Sequence, residues 1–479
     1  MATKRAPAPP KNATSEALEA VIREDPTALG PRSVYTDWLL QQGDPRGELG
    51  AIQTAMTTAR GLELARLLAA EQAILSANAK SFYGPLARSS RARVTNVDWL
   101  GGFPAAFDGF SISDAPRFLE HPAAAFLTRV RSVQFATAPP CLRSAVVDAQ
   151  SLEAAWRAPH LDELFVGLGG QVAKNARDIP DDPHSTLARI AVAHPTASWL
   201  SRGLRPDRLP RLRSINLLRV DSAVIAHAVA AFEAFPEAAL GLGLTASRGS
   251  FAALGNAAQR VSRLVLDNVG GSALKSLSQV DFSGVTSLHL PDVPRDEHDA
   301  YFQLFAPPPR LRSLELGQPS GLVGLPRSLG RSAFAAQIEE LELSVDTFGV
   351  GRALTENPFP KLTRLALMLP ELSIETLETR RFLANDAFPA LRTLSIKPIW
   401  HLAAAADAPF AERLEVLETS MRGDRDAPEL LNHLAKFPKL RRVVLRGDRV
   451  LSPSVLEALF SAGPEIEWLE RVPRAVFAG

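Results

Sequence analysis

One six-residue pattern constrains this chain more than any other feature. An apolar residue is followed by two variable residues, a second apolar residue, one variable residue and a third apolar residue. Clear copies are Leu212-Arg-Ser-Ile-Asn-Leu217, Val261-Ser-Arg-Leu-Val-Leu266, Val285-Thr-Ser-Leu-His-Leu290 and Leu311-Arg-Ser-Leu-Glu-Leu316. Others are Ile338-Glu-Glu-Leu-Glu-Leu343, Leu362-Thr-Arg-Leu-Ala-Leu367, Leu391-Arg-Thr-Leu-Ser-Ile396 and Leu440-Arg-Arg-Val-Val-Leu445. Degenerate copies begin at Val94, Val130, Leu161, Leu187, Ala239, Leu414 and Ile466. From Leu187 to Ile466 the starts are spaced by 25, 27, 22, 24, 26, 27, 24, 29, 23, 26 and 26 residues. Self-similarity at such a period means one structural unit stacked many times.

The last three positions of the pattern alternate apolar and variable, which is the period of a strand with one buried face. The first, fourth and sixth residues therefore point inward. One unit cannot bury them alone, whereas stacked units share a continuous core. Segments between the strands, such as Ser222 to Phe232 and Ser454 to Phe460, have helical periodicity and are expected on the convex side. Phe359-Pro360, Phe388-Pro389 and Phe437-Pro438 precede strands. Proline keeps the entry extended, and the Phe is expected to plug the space between strand and helix layers. The predicted fold class is an α/β solenoid, with parallel strands on the concave face and helices on the convex face.

Over roughly residues 94–472 this pattern resembles the leucine-rich repeat family. It departs in one respect. The Asn or Cys that usually follows the strand is mostly absent, and Val220 and Val269 occupy or neighbour that place. The helical layer is then expected to hold successive repeats together.

Residues 13–90 read differently. Leu18, Val21 and Ile22 form a helical stripe that Asp25-Pro26 ends, and Gly30-Pro31 opens a second helix with Val34, Tyr35, Trp38 and Leu39. Gly43 stops it, Asp44-Pro45 caps a third, and Leu62 to Leu75 forms a fourth. Leu18-Glu-Ala-Val-Ile22, Asp25-Pro26 and Pro31-Arg-Ser-Val-Tyr-Thr-Asp-Trp-Leu39 followed by Gly43-Asp44 resemble the repeat-companion module that precedes leucine-rich repeats in some bacteria. That family has no assigned catalytic residues, so the resemblance implies none here. Trp38 is expected to pack, and Asp37 to accept a hydrogen bond from a helix end or from Arg32. Residues 1–12 predict a disordered Pro-rich tail, 13–90 a helical module that covers the first strand near Val94 to Trp99, and 91–479 the solenoid with its C-terminal cap.

Composition narrows the function. With 53 basic and 52 acidic residues the net charge is +1, which argues against a dedicated nucleic-acid binder. The N-terminus has no apolar leader, and no uninterrupted apolar run is long enough to span a bilayer, so the expectation is a cytoplasmic protein. One cysteine, Cys141, excludes an intramolecular disulfide framework and a Cys-rich zinc site. There is no phosphate loop, no His-Glu-x-x-His and no Gly-x-Ser-x-Gly. Ser272-Ala-Leu-Lys275 stands without companion motifs. No cofactor, metal or catalytic residue is expected.

The outward positions are the place for recognition. His289, Glu315 and Glu342 hold the same outward position on successive strands, Glu340 lies on the adjacent row, and Glu418 farther along. The expected function is non-catalytic protein recognition on the concave face, by a partner carrying basic residues that meets His289, Glu315, Glu340, Glu342 and Glu418. The alternative is an enzyme or effector with its chemistry in residues 13–110 and repeats that select the substrate.

Overall fold

The computed structural model describes residues 13–26, 28–88, 97–109, 112–132, 135–148, 150–167, 180, 182–246, 248–292, 301–302, 307–317, 329–344, 358–369, 380, 383–384, 386–421, 423–447 and 451–468. The tail expected over 1–12 and the repeat start expected at Val94 lie outside them.

Helices α1 (Ala13–Glu24), α2 (Leu29–Gln41), α3 (Pro45–Met56), α4 (Gly61–Ala77) and α5 (Ala79–Tyr83) come first. Their ends follow the punctuation in the sequence. Gly43 takes a positive φ of 68° just past α2, where a Cβ would be strained. The Asp44 carboxylate accepts the Arg46 backbone N–H at 2.9 Å with Pro45 in the first turn.

The strands follow: β1 (Val97–Leu100), β2 (Phe103–Asp108), β3 (Arg129–Ser132), β4 (Ser144–Val147), β5 (Glu163–Val166), β6 (Arg189–Ala193), β7 (Ser214–Val220), β8 (Ala239–Leu244) and β9 (Val261–Asp267). Then come β10 (Ser287–Asp292), β11 (Ser313–Leu316), β12 (Glu340–Ser344), β13 (Arg364–Met368), β14 (Thr393–Lys397), β15 (Val416–Met421), β16 (Arg442–Gly447) and β17 (Glu465–Trp468). All seventeen belong to one sheet. β1 and β2 form an antiparallel hairpin, and every later strand pairs parallel with the one before it. Short helices cross between many of the strands, including Ile225–Ala234, Gly271–Leu277 and Pro453–Phe460. The fold is an α/β leucine-rich-repeat solenoid with an N-terminal helical module.

The inward register is the one the motif predicts. Leu288, Leu314, Leu341, Leu365, Leu394 and Leu417 are successive pairing partners and all are buried. Phe359 and Phe388 stack at 5.9 Å beneath their strands. The place of the usual Asn is taken by buried apolar residues, Phe135, Val220, Val269 and Ile399. Side chains from the next repeat serve the loop backbone instead: Ser151 Oγ accepts Phe135 N–H at 2.9 Å, and the Tyr301 hydroxyl donates to Val269 O.

Several degenerate starts are corrected by the pairing. Val130 pairs with Ala145, so it is the fourth residue of its copy, which begins at Leu127. Ile466 pairs with Val443 and is likewise a fourth residue. Ala239 is exposed, and Leu240, Leu242 and Leu244 point inward, because Ala239 pairs with Ser214, a third residue, and Leu240 with Ile215, a fourth. A copy at Leu142-Arg-Ser-Ala-Val-Val147 escapes the pattern because Ala145 stands where a large apolar residue is expected.

The module grips the β1–β2 hairpin. Arg32, 2% exposed, donates to Pro26 O at 3.1 and 3.2 Å and to Leu100 O at 3.5 Å. Thr36 Oγ1 donates to Gly101 O at 3.1 Å, and Gly102 N–H donates to Gln53 Oε1 at 2.9 Å. Gly102, at φ 81°, sits so close that a Cβ would lie 2.1 Å from Arg46 O, so no other residue fits the turn. Asp37 is exposed and forms no bond to Arg32, whose donors are taken by carbonyls because it is buried. At the other end of the chain, α4 packs along Pro453–Phe460.

Replacing Leu341 or Leu314 by Asp should cost several kcal/mol, because each sits fully inside the core with no partner for a carboxylate. Urea melts followed by circular dichroism should show a large drop in midpoint, while Glu340→Gln on the exposed face changes little. A Leu341→Asp protein that melts with the wild type would mean that Leu341 faces outward.

Candidate concave recognition site

The alternation that buries the leucines puts every second residue on the concave face. One outward row can be followed strand by strand from β2 to β7: Asp108, Arg131, Val146, Phe165, Ala191 and Asn216. From β9 to β17 it continues as Val265, His289, Glu315, Glu342, Ala366, Ser395, Glu418, Val444 and Glu467. The two stretches differ. Val146, Phe165 and Ala191 form a small buried apolar cluster with Ala193 and Leu218 against it. The later stretch holds four carboxylates.

Most concave carboxylates have an arginine. Asp98 pairs with Arg129 at 3.5 Å, Asp108 with Arg131 at 3.5 Å, and Asp267 with Arg219 at 2.7 Å. Arg189 reaches Asp162 at 3.2 Å and also contacts Glu163. Glu418 pairs with Arg364 at 3.1 Å, and Glu467 with Arg442 at 3.2 Å. A planar guanidinium suits such half-buried pairs better than an ammonium would.

Glu315 and Glu342 break the rule. They are direct partners on β11 and β12, so their backbones lie about 4.8 Å apart. Glu315 Oε1 lies 3.4 Å from His289 Nε2. This contact is not an ion pair at neutral pH. Burial, and after it the charge of Arg263, pushes the His289 imidazole down to about 4, against the pull of Glu342 and Asp267. Burial also raises the Glu315 carboxyl above the usual range, with Arg263 pulling the other way. Among the described residues neither Glu340 nor Glu342 forms an ion pair with a basic side chain. Glu340 is exposed, opposite Ser313 on one side and Arg364 on the other.

The structure thus brings His289, Glu315, Glu340 and Glu342 together on three adjacent strands. Glu418 stands apart, separated from Glu342 by Ala366 and Ser395, with Arg364 on its carboxylate. Two arginines that govern this surface, Arg263 and Arg364, escape the sequence reading. Both occupy the third position of the motif, which also faces outward, and reading that position with the fifth would have revealed them.

Other candidates resolve into packing. Cys141 is buried with Ile22, Tyr35, Leu39, Phe103 and Phe126, and burial pushes its thiol up to about 11, so it is neither a thiolate nor a nucleophile at neutral pH. Tyr35 donates to Glu19 at 2.7 Å and stacks on Phe103 at 5.3 Å, and burial raises its hydroxyl to about 12. Ser272 and Lys275 are exposed on a helix between β9 and β10. Among the described residues no three His, Cys, Asp or Glu side chains converge as a metal site. No helix there is long and apolar enough to cross a membrane.

No family model and no curated protein matches the chain. Among solved structures it is similar to a Bacteroides fragilis protein, at 14% identity over 64% of this chain and 74% of that one, with a TM-score of 0.31. It is also similar to a chain of the yeast Rad7 and Elc1 complex, at 14% identity over 92% and 95%, TM-score 0.34. A third is an internalin from Listeria monocytogenes, at 10% identity over 83% and 95%, TM-score 0.27. Likenesses this distant carry nothing about function.

The His289 shift has a signed consequence. Its folded value, about 4, lies below the ordinary 6.5, so the unfolded chain takes up the proton first. The stability this group contributes is complete above about pH 6.5 and is lost as pH falls toward 4, on the order of 3 kcal/mol in all. Glu315 acts in the opposite sense, since its raised value favours proton uptake by the folded state, but only near the carboxylate range. Urea titrations at pH 7, 5.5 and 4.5 should show His289→Gln losing less stability on acidification than wild type. Equal losses in both proteins would place the acid sensitivity elsewhere.

Proposed function

We propose that this protein is a non-catalytic recognition scaffold or sensor of the bacterial cytoplasm, and that its concave face takes a protein segment carrying basic residues. One observation carries the reading: among the described residues Glu315 and Glu342 are adjacent and neither forms an ion pair with an arginine, on a face where the other carboxylates of the row each form one. Like charges that close repel, and a cationic partner relieves the repulsion. The geometry also suggests a spacing. Glu340 and Glu342 are two residues apart on β12, about 6.7 Å, the distance between alternate residues of any extended chain. Lys or Arg at alternate positions of the partner would meet both, with Glu315 alongside.

In this reading residues 91–479 do the recognising, and the module of residues 13–90 is of the repeat-companion kind and supports them. Its Tyr35 and Leu39 are spent on packing, together with Arg32, which argues for a structural role rather than a chemical one. The localisation rests on the sequence alone.

Changing Glu315 and Glu342 together to Lys should leave the circular dichroism spectrum and melting unchanged. Affinity for a peptide with Arg at alternate positions should fall at least about tenfold at low salt, mostly through slower association. Wild-type binding should also weaken as ionic strength rises. Retention of the peptide by the double variant at both high and low salt removes the acidic row as the contact surface.

A further inference from the structure

The two ends of the solenoid meet. The module holds the β1–β2 hairpin through Arg32, Thr36 and Gln53, and its helix α4 lies along Pro453–Phe460 after the penultimate strand. One continuous apolar core accordingly runs from Leu49 in the module, through every repeat, to Ile466 in β17. Leu68 and Leu75 of α4 are buried in it, as are Leu456 and Leu459 of the last helix. This helical seam closes the array into a ring, although β1 and β17 do not pair with each other among the described strands, and the outward rows line its bore.

The bore is narrow. Seventeen strands at about 4.8 Å give an inner perimeter of roughly 80 Å, so facing backbones stand on the order of 25 Å apart. Two facing layers of side chains fill about 10 Å of that, leaving roughly 15 Å. A second observation agrees. Val146, Phe165 and Val444 point away from the helical layer, toward the bore, yet all are at most 8% exposed.

We propose that this closed bore admits a protein partner only as a single polypeptide segment, entering along the axis, and excludes folded domains. One helix, about 10–12 Å across with its side chains, fits, as does one extended chain, whereas a small domain about 30 Å across does not. Axial entry lays the segment beside β12, where Glu340 and Glu342 follow one another along the strand. The proposal rests on the basic-segment reading above.

Two measurements test it on the full chain. Spin labels at Arg66→Cys and Ala458→Cys, both exposed and on the two sides of the seam, should give one narrow distance distribution below about 30 Å, α4 and the last helix being neighbours. Native Cys141 is buried and does not take the label. A broad or longer distribution means that the ring is open, and the proposal fails. The second measurement compares an Arg-x-Arg-x-Arg peptide having a free end with the same peptide fused without spacers between two folded domains. The free-ended peptide should bind at least tenfold more tightly. Equal binding of both forms with the seam closed overturns axial admission but leaves the basic-segment reading standing. If neither form binds, the basic-segment reading is what has failed, and the proposal falls with it.

Discussion

The strict alternation of side chains along a parallel strand is the constraint on which everything else in this molecule depends. It commits Leu314, Leu316, Leu341 and Leu343 to the core and, by the same step, commits Glu315, Glu340 and Glu342 to the concave surface. A slip of one residue would exchange the two sets, burying carboxylates and exposing leucines. The pairing of each strand with the next carries this choice around the sheet. The carboxylates therefore sit side by side not through any loop geometry but because the core leaves them nowhere else to go.

That surface is polarised by its arginines. Arg131, Arg189 and Arg442 each bind a carboxylate on the neighbouring strand, and Arg219 and Arg364 each bind one two strands away, so most of the concave charge is cancelled where it stands. Arg263 is different. Its field reaches both His289 and Glu315, adding to the burial that keeps the imidazole neutral and moderating the raised carboxyl. The result is a short stretch, β10 to β12, where negative charge is left over and where the nearest histidine does not offset it.

Much of the fold was legible in the sequence, because the motif states both period and face. Leucines at the first, fourth and sixth positions are hard to read any other way. Where the motif was filled with small residues it failed, as at Ala145 and Ala239, since which of them is buried depends on the pairing with neighbouring strands, which one copy does not encode. The candidate site was half legible. His289, Glu315 and Glu342 follow from register alone. The fate of Glu418 does not, because Arg364 comes from two strands away, past Ser395, and one copy of the motif does not encode that pairing. The contact of α4 with the last helix had no signature at all, being set by the sum of small rotations between repeats.

That contact alters how the molecule can come apart. In a linear stack the terminal unit has one neighbour, so it frays at the cost of a single interface and the loss spreads inward in steps. Here no unit is terminal in that sense. Detaching any stretch of the ring, including the one at the seam, breaks an interface on each side. Opening at the chain's ends therefore breaks the contact of α4 with the last helix as well as a repeat interface, which disfavours fraying there.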